Sequence, residues 1–324
     1  MTPFVGNTAA RTGFAAALAG GSMHHAWLFV GPEGVGKASF ARAAAARLLA
    51  DAAADRDLPA GIDLPPGNRT RALIEAGSHP DYRLLSRLPK DPEKPDQDLA
   101  RSITIAQIRS LQPMFATRPS MSARRVVVID AADDLERSGA NALLKSLEEP
   151  PAGTIFLLIS HAPGRLLATI RSRCRLLRFE ALNEEDVATA IRARQPEIGP
   201  DELVAMARAG EGAPGRALRY AGLDIAALDA AIAGIASDGD SDNARRIKLA
   251  KALAGKTATA RYQAFLERAP ALIARAARDR SGDQLKTALD AHAAARDLAA
   301  AALGLTLDQQ ATVFEMAGIV ARLR

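Results

Sequence analysis

The stretch VGPEGVGKASF, residues 30–40, decides the fold that this sequence predicts. It holds a glycine, four further residues and then Gly-Lys, which is the spacing of a phosphate-binding loop. The apolar run AWLFV (26–30) precedes it as a strand, and KASFARAAAARLLA (37–50) follows it as a helix. In such a turn, backbone N–H groups and the positive end of the helix point at a phosphate. The predicted nucleotide-binding residues in this loop are Gly31, Gly34, Gly36 and Lys37.

The loop departs from its template at Ala38, where a Ser or Thr hydroxyl normally holds Mg²⁺. Ser39 comes one place late, and because helical residues turn by about 100° each, its hydroxyl faces away from the metal position. Ala38 and Ser39 therefore complete a degenerate loop. A nucleotide could still bind through the loop backbone and Lys37, so nucleotide binding stays open, but a metal ion would be poorly held.

A second departure follows the strand RRVVVID (124–130). Asp130 ends this strand, where phosphate-loop folds place a metal-associated carboxylate. An acid that polarises the attacking water would usually come next, but Ala131 stands there. We interpret the following Asp133 and Asp134 as a helix start. The metal-binding hydroxyl at position 38 and the second acid at position 131 are both missing. We therefore predict that this chain does not hydrolyse ATP and holds no metal.

The fold class is predicted as an α/β phosphate-loop domain followed by helices. Apolar strands separated by helices indicate a parallel sheet covered on both faces. Beyond residue 182 the strand signals stop, and the Ala-rich region to residue 324 has helical periodicity. The predicted strands are 26–30, 124–130, 154–160 and 175–179, with loops at about 55–70 and 89–100. The predicted helix starts include Thr104, with Gln107 at capping-box spacing, and Asn183.

Composition narrows the function classes. The chain has 324 residues, a net charge of +5 and 4% aromatic residues. This charge permits contact with nucleic acid without arguing for it, and so few aromatics disfavour a base-stacking module. The single cysteine, Cys174, excludes an internal disulfide, and the five histidines lack metal-ligand spacing. We expect a cytoplasmic protein with no membrane partner.

Four motifs carry a resemblance to a known family. They are GSHPDYRLL (77–85), NALLKSLEEPP (141–151), TIRSRCR (169–175) and GAPGRAL (212–218). With these motifs in order, about residues 20–220 resemble the clamp-loader branch of the AAA+ ATPases. The resemblance implies an AAA+ domain over 1–180, a small helical lid domain over 181–224 and a helical C-terminal oligomerisation collar over 225–324.

The resemblance also implies residue roles. Arg173 corresponds to an arginine finger that reaches in trans into a neighbouring subunit's ATP site, where a permanently charged guanidinium stabilises the γ-phosphate. Arg216 corresponds to a sensor arginine facing the nucleotide, with domain packing equally open. Ser160 matches a polar sensor or is a simple strand-end hydroxyl. Cys174 is expected to pack as a small apolar residue.

The implied function is that of a non-hydrolysing, stator-like subunit in a hetero-pentameric ring of clamp-loader subunits. The ring would load a sliding clamp on primer-template DNA as part of a bacterial replicative polymerase holoenzyme. Many relatives carry a four-cysteine zinc module that this chain lacks, so we expect no zinc and no required cofactor. Passive binding of ATP or ADP stays open. The alternative function is an AAA+ ATPase that itself hydrolyses ATP with Lys37 and Asp130.

Overall fold

The computed structural model describes residues 4–21, 23–55, 58–91, 93, 99–305 and 307–324. Parts of the two predicted loops, residues 56, 57, 92 and 94–98, lie outside these ranges. The strands are β1 (Ala26–Val30), β2 (Tyr82–Ser86), β3 (Arg125–Asp130), β4 (Thr154–Ser160) and β5 (Arg175–Arg178). The helices among them are α1 (Thr8–Ala19), α2 (Lys37–Ala52), α3 (Arg69–Glu75), α4 (Ile105–Arg109), α5 (Gln112–Phe115), α6 (Arg137–Glu148) and α7 (Ala168–Arg171). The later helices are α8 (Glu184–Arg192), α9 (Pro200–Ala209), α10 (Pro214–Arg219), α11 (Ile225–Asp238), α12 (Ala244–Ala252), α13 (Thr259–Ala277), α14 (Gly282–Leu305) and α15 (Gln309–Ala321). Short 3₁₀ turns cover Ala132–Asp134, Pro163–Arg165 and Lys256–Ala258.

The five strands form one parallel sheet in the order β2-β3-β4-β1-β5. Side chains alternate between its two faces because successive residues of a strand point in opposite directions. Trp27 and Phe29 pack on one face with residues of α1 and α2. Leu28 and Val30 pack on the other with residues of α4, α6 and α7. The predicted parallel sheet with helices on both faces, followed by a helical region, is confirmed.

Two helix starts confirm their sequence signals. Thr104 and Gln107 form a reciprocal capping box at the start of α4. Asn183 caps α8 by accepting a hydrogen bond from the Asp186 N–H at 2.7 Å, and three acidic residues occupy the first turn of that helix. Both caps satisfy backbone donors that lack a partner within the helix.

The chain divides into two compact units, one of Met1–Pro196 with Gly210–Arg216 and one of Glu197–Ala209 with Ala217–Arg324. In the second unit, the buried Arg268 donates to both carboxylate oxygens of Asp229, at 2.9 and 2.6 Å, and to the carbonyl of Ala209 at 3.0 Å. The bidentate pair links α13 to α11, and the bond to Ala209 links α13 to α9. Together these bonds satisfy a charge that would be costly to bury alone. In the described ranges, no helix combines the length and apolar character that crossing a membrane requires.

Candidate phosphate-loop site and arginine finger

The loop between β1 and α2 has the backbone that its glycines predict. Gly31, Gly34 and Gly36 have φ values of 150°, 80° and 106°. A Cβ on Gly31 would lie 2.1 Å from the carbonyl oxygen of Phe179, and one on Gly34 would lie 2.8 Å from the backbone nitrogen of Arg216. Only glycine fits such positions without strain. The motif therefore fixes a tight turn with two neighbouring segments packed directly against it.

Lys37 is buried within the loop that it terminates. Its side chain, in a residue 2% exposed, donates from Nζ to the carbonyl oxygens of Gly31 and Pro32, both at 2.6 Å. Burial lowers the pKa of Lys37 to about 8, although the charge of Asp130 opposes this shift. The amine thus satisfies loop carbonyls and keeps one further donor.

The two residues after Lys37 face different surroundings. Ala38 packs against the core cluster of α1, α2 and the sheet. The Ser39 hydroxyl accepts a hydrogen bond from Arg194 at 3.3 Å. The Ser39 oxygen is therefore engaged with the residues after α8, and Ala38 presents only a methyl group.

The carboxyl edge of the sheet brings Asp130 and Ser160 near the loop, because both end strands that run parallel to β1. Burial raises the pKa of Asp130, with His161 and Lys37 opposing the shift. The Ser160 hydroxyl donates to Asp133 Oδ1 at 2.8 Å, and the same carboxylate accepts the backbone N–H of His161. Asp133 therefore fixes the end of β4. It also lies in the short 3₁₀ turn Ala132–Asp134, where the sequence predicted a helix start.

Arg216 lies in α10, whose first turn contacts the loop. The Gly215 N–H donates to the carbonyl of Gly34 at 2.8 Å. The Arg216 guanidinium instead pairs with Glu211 at 3.0 Å. The predicted sensor arginine thus has its backbone against the loop and its charged group on a neighbouring carboxylate.

Arg173 lies between α7 and β5, apart from the loop residues. Its guanidinium forms an ion pair with Glu148 at 2.6 Å and donates to the carbonyl of Thr169 at 3.0 Å. The adjoining Cys174 packs on the core, and burial raises the pKa of its thiol to about 12. This thiol is therefore neutral at ordinary pH, in keeping with a packing residue.

The sheet register places Arg173 at the amino ends of the parallel strands and the loop at their carboxyl ends. Trp27 of β1 lies opposite Arg175 of β5, so Arg173 precedes the amino end of its strand. The loop begins only after Val30. Three residues of strand, or roughly 10 Å, separate the two levels before the loop adds its own length. Arg173 therefore cannot reach the phosphate loop of its own chain.

Glu148, the partner of Arg173, is not among the residues predicted from the sequence. Glu148 is part of the motif NALLKSLEEPP, but it lies 25 positions before Arg173, and only the packing of α6 against α7 brings them together. Over the described ranges, no group of three or more His, Cys, Asp and Glu side chains could hold a metal ion. The absence of zinc stays a prediction.

Comparisons with known proteins point to one family. A family model described as "DNA polymerase III, delta subunit" matches residues 6–183. DNA polymerase III subunit delta' of Pseudomonas aeruginosa is 40% identical over 158 residues, which are 48% of this chain and 44% of that relative. Subunit delta' of Escherichia coli strain K12 is 35% identical over 198 residues, 61% of this chain and 54% of that relative. The matched part thus spans about half the length of these relatives. A DNA polymerase III gamma subunit-related protein from Thermotoga maritima superposes with a TM-score of 0.48 at 17% identity, over 97% of this chain and all of that one.

Proposed function

Because the chain belongs to the DNA polymerase III delta-prime family of clamp-loader subunits, we propose that it is a non-hydrolysing, stator-like subunit that lends Arg173 to a neighbour's ATP site. The ring containing it would use that hydrolysis while loading a sliding clamp onto primer-template DNA. One observation carries the proposal: Arg173 lies at the amino ends of the parallel strands, and the phosphate loop lies at their carboxyl ends. A single chain would then present its finger on one side and its loop on the other, as subunits in a ring require.

The side chains around the loop support a site that does not hydrolyse ATP. Ala38 offers no oxygen to Mg²⁺, and Ala131, 3% exposed, offers no carboxylate to the attacking water. Lys37 already donates to two loop carbonyls. The one donor that Lys37 keeps is open to a phosphate, but with no hydroxyl at position 38 and no acid at position 131 we expect any binding of ATP or ADP to be passive.

Several details of the proposed function come from the family resemblance alone. The division into domains at 1–180, 181–224 and 225–324, with the last as an oligomerisation collar, stays a prediction. So do the hetero-pentameric ring, the sensor position of Arg216 and the cytoplasmic location. The family match supports a subunit that works with other clamp-loader subunits in replication.

The finger assignment is tested by reconstituting the complex with Arg173→Ala. We expect DNA-stimulated ATP turnover and clamp loading to fall, since trans arginines contribute about 10³–10⁵ in rate at the site that they serve. Arg165→Ala is the matched control, because Arg165 is an exposed arginine in the turn before α7. Turnover and loading equal to wild type in the Arg173→Ala complex would refute the assignment.

The isolated chain separates this function from the alternative of an ATPase in its own right. Calorimetric titration with ATP and ADP, with and without Mg²⁺, is combined with a turnover assay. We expect no hydrolysis and no gain in affinity from Mg²⁺, because no side chain at position 38 can hold the metal. Mg²⁺-dependent turnover that is abolished by Lys37→Ala would establish the alternative instead.

A further inference from the structure

The guanidinium of Arg173 is fixed from two sides. Nη2 pairs with Glu148 at the end of α6, at 2.6 Å, and Nη1 donates to the Thr169 carbonyl in α7, at 3.0 Å. The Arg173 side chain is 33% exposed and that of Glu148 48% exposed. The pair therefore lies at the surface, where a neighbouring subunit could meet it.

Both attachment points belong to well-anchored elements. Leu147, next to Glu148, is 1% exposed, and its carbonyl contacts the His25 ring nitrogen at 3.0 Å. Ile170, next to Thr169, is fully buried in the same core cluster. A carboxylate and a carbonyl on such supports hold an arginine in one orientation more firmly than solvent can.

The two bonds leave the finger able to bind a phosphate. A guanidinium has five N–H donors, and Glu148 and Thr169 engage two of them. The remaining donors can contact phosphate oxygens while Glu148 stays in place. A free arginine side chain would have to give up its rotamer freedom at that moment, whereas a fixed one has already done so.

We propose that Glu148 is a positioning residue for Arg173, which delivers the guanidinium to the neighbour's ATP already ordered. This inference rests on the proposed function, because it concerns the same finger. Its effect is expected in the chemical step: kcat for ATP should depend on Glu148 and KM should not, since the finger acts on charge that develops in the transition state.

A double-mutant cycle in the reconstituted complex tests the inference. Glu148→Ala should lower DNA-stimulated kcat about five-fold with KM for ATP unchanged, and Glu148→Gln, which keeps an acceptor oxygen, should fall between. In the Arg173→Ala background, Glu148→Ala should cause no further loss. Exposed ion pairs contribute little to folding, so the variants should melt close to wild type. Glu149→Ala is the matched control, since it removes the same charge one residue away and should behave as wild type.

Four outcomes would overturn the inference. A Glu148→Ala complex as fast as wild type would mean that the pair does not position the finger, and a faster one would mean that it restrains the finger. An equal loss with and without Arg173 would assign Glu148 a purely structural effect. If Arg173→Ala itself equals wild type, the proposed function fails and the positioning inference falls with it, whereas a slow Arg173→Ala beside a silent Glu148→Ala rejects the positioning alone.

Discussion

Gly215 donates its backbone N–H to the carbonyl oxygen of Gly34 at 2.8 Å, so the first turn of α10 is hydrogen bonded to the middle of the phosphate loop. The contact is made by backbone alone. It therefore depends on the absence of a side chain at Gly34, where a Cβ would lie 2.8 Å from the Arg216 nitrogen. The loop in this chain therefore serves as a packing surface for the first turn of α10.

Gly34→Ala should destabilise the first unit. The backbone at Gly34 has a φ of 80°, which an alanine adopts only with strain, and its Cβ would push α10 away. We expect a loss of roughly 1–3 kcal/mol in the free energy of unfolding, measured by chemical denaturation. Gly67→Ala is the control, because a Cβ there meets nothing within 4 Å. Equal stability of the two variants would contradict the packing described.

Stability should depend on pH through Lys37. Burial lowers its folded-state pKa to about 8 from an ordinary value of 10.5. Between these values the unfolded chain holds the proton and the folded chain releases it, so the free energy of unfolding rises with pH. Relative to Lys37→Met, wild type should gain about 3 kcal/mol between pH 7.5 and 10.5, measured by denaturation at each pH. A difference that does not vary with pH would show that the amine is not buried as described.

The sequence predicted four of the five described strands and missed β2, which is one of the two edge strands. AWLFV and TIFLLIS are apolar at nearly every position because these strands are covered on both faces. YRLLS in β2 was not predicted as a strand: it lies at the edge, and Leu84 is 42% exposed. The short α3, Arg69–Glu75, was also missed, since it begins at the end of the predicted loop 55–70.

Asp133 should matter for stability more than its neighbour Asp134. Its carboxylate accepts the Ser160 hydroxyl, which is fully buried, and the N–H of His161. Asp133→Ala leaves these donors unpaired and should cost about 2 kcal/mol. Asp134→Ala removes only a partly exposed pair with Arg87 at 3.0 Å and should cost less than about 1 kcal/mol. Thermal unfolding of both variants measures the contrast, and a larger loss for Asp134→Ala would reverse this assignment.

Within the site, the spacing of residues in the sequence predicted the local features but not the partners that each side chain finds in the folded chain. The loop glycines, Ala38 and Asp130 follow from motifs a few residues long. The bonds from Lys37 to the carbonyls of Gly31 and Pro32 depend on a side-chain orientation that no spacing encodes. The pairing of Arg173 with Glu148 joins two elements that the core brings together, so it could be found only in the structure.

Whether Arg173 acts on a neighbour's ATP is tested most directly by single-turnover hydrolysis. The reconstituted complex is loaded with ATP, mixed with primer-template DNA and clamp, and quenched over time, with wild-type or Arg173→Ala chain. The finger assignment predicts that one phase, the share of the adjoining site, slows by about 10³-fold or more while the other phases persist. Identical time courses for the two complexes would contradict it.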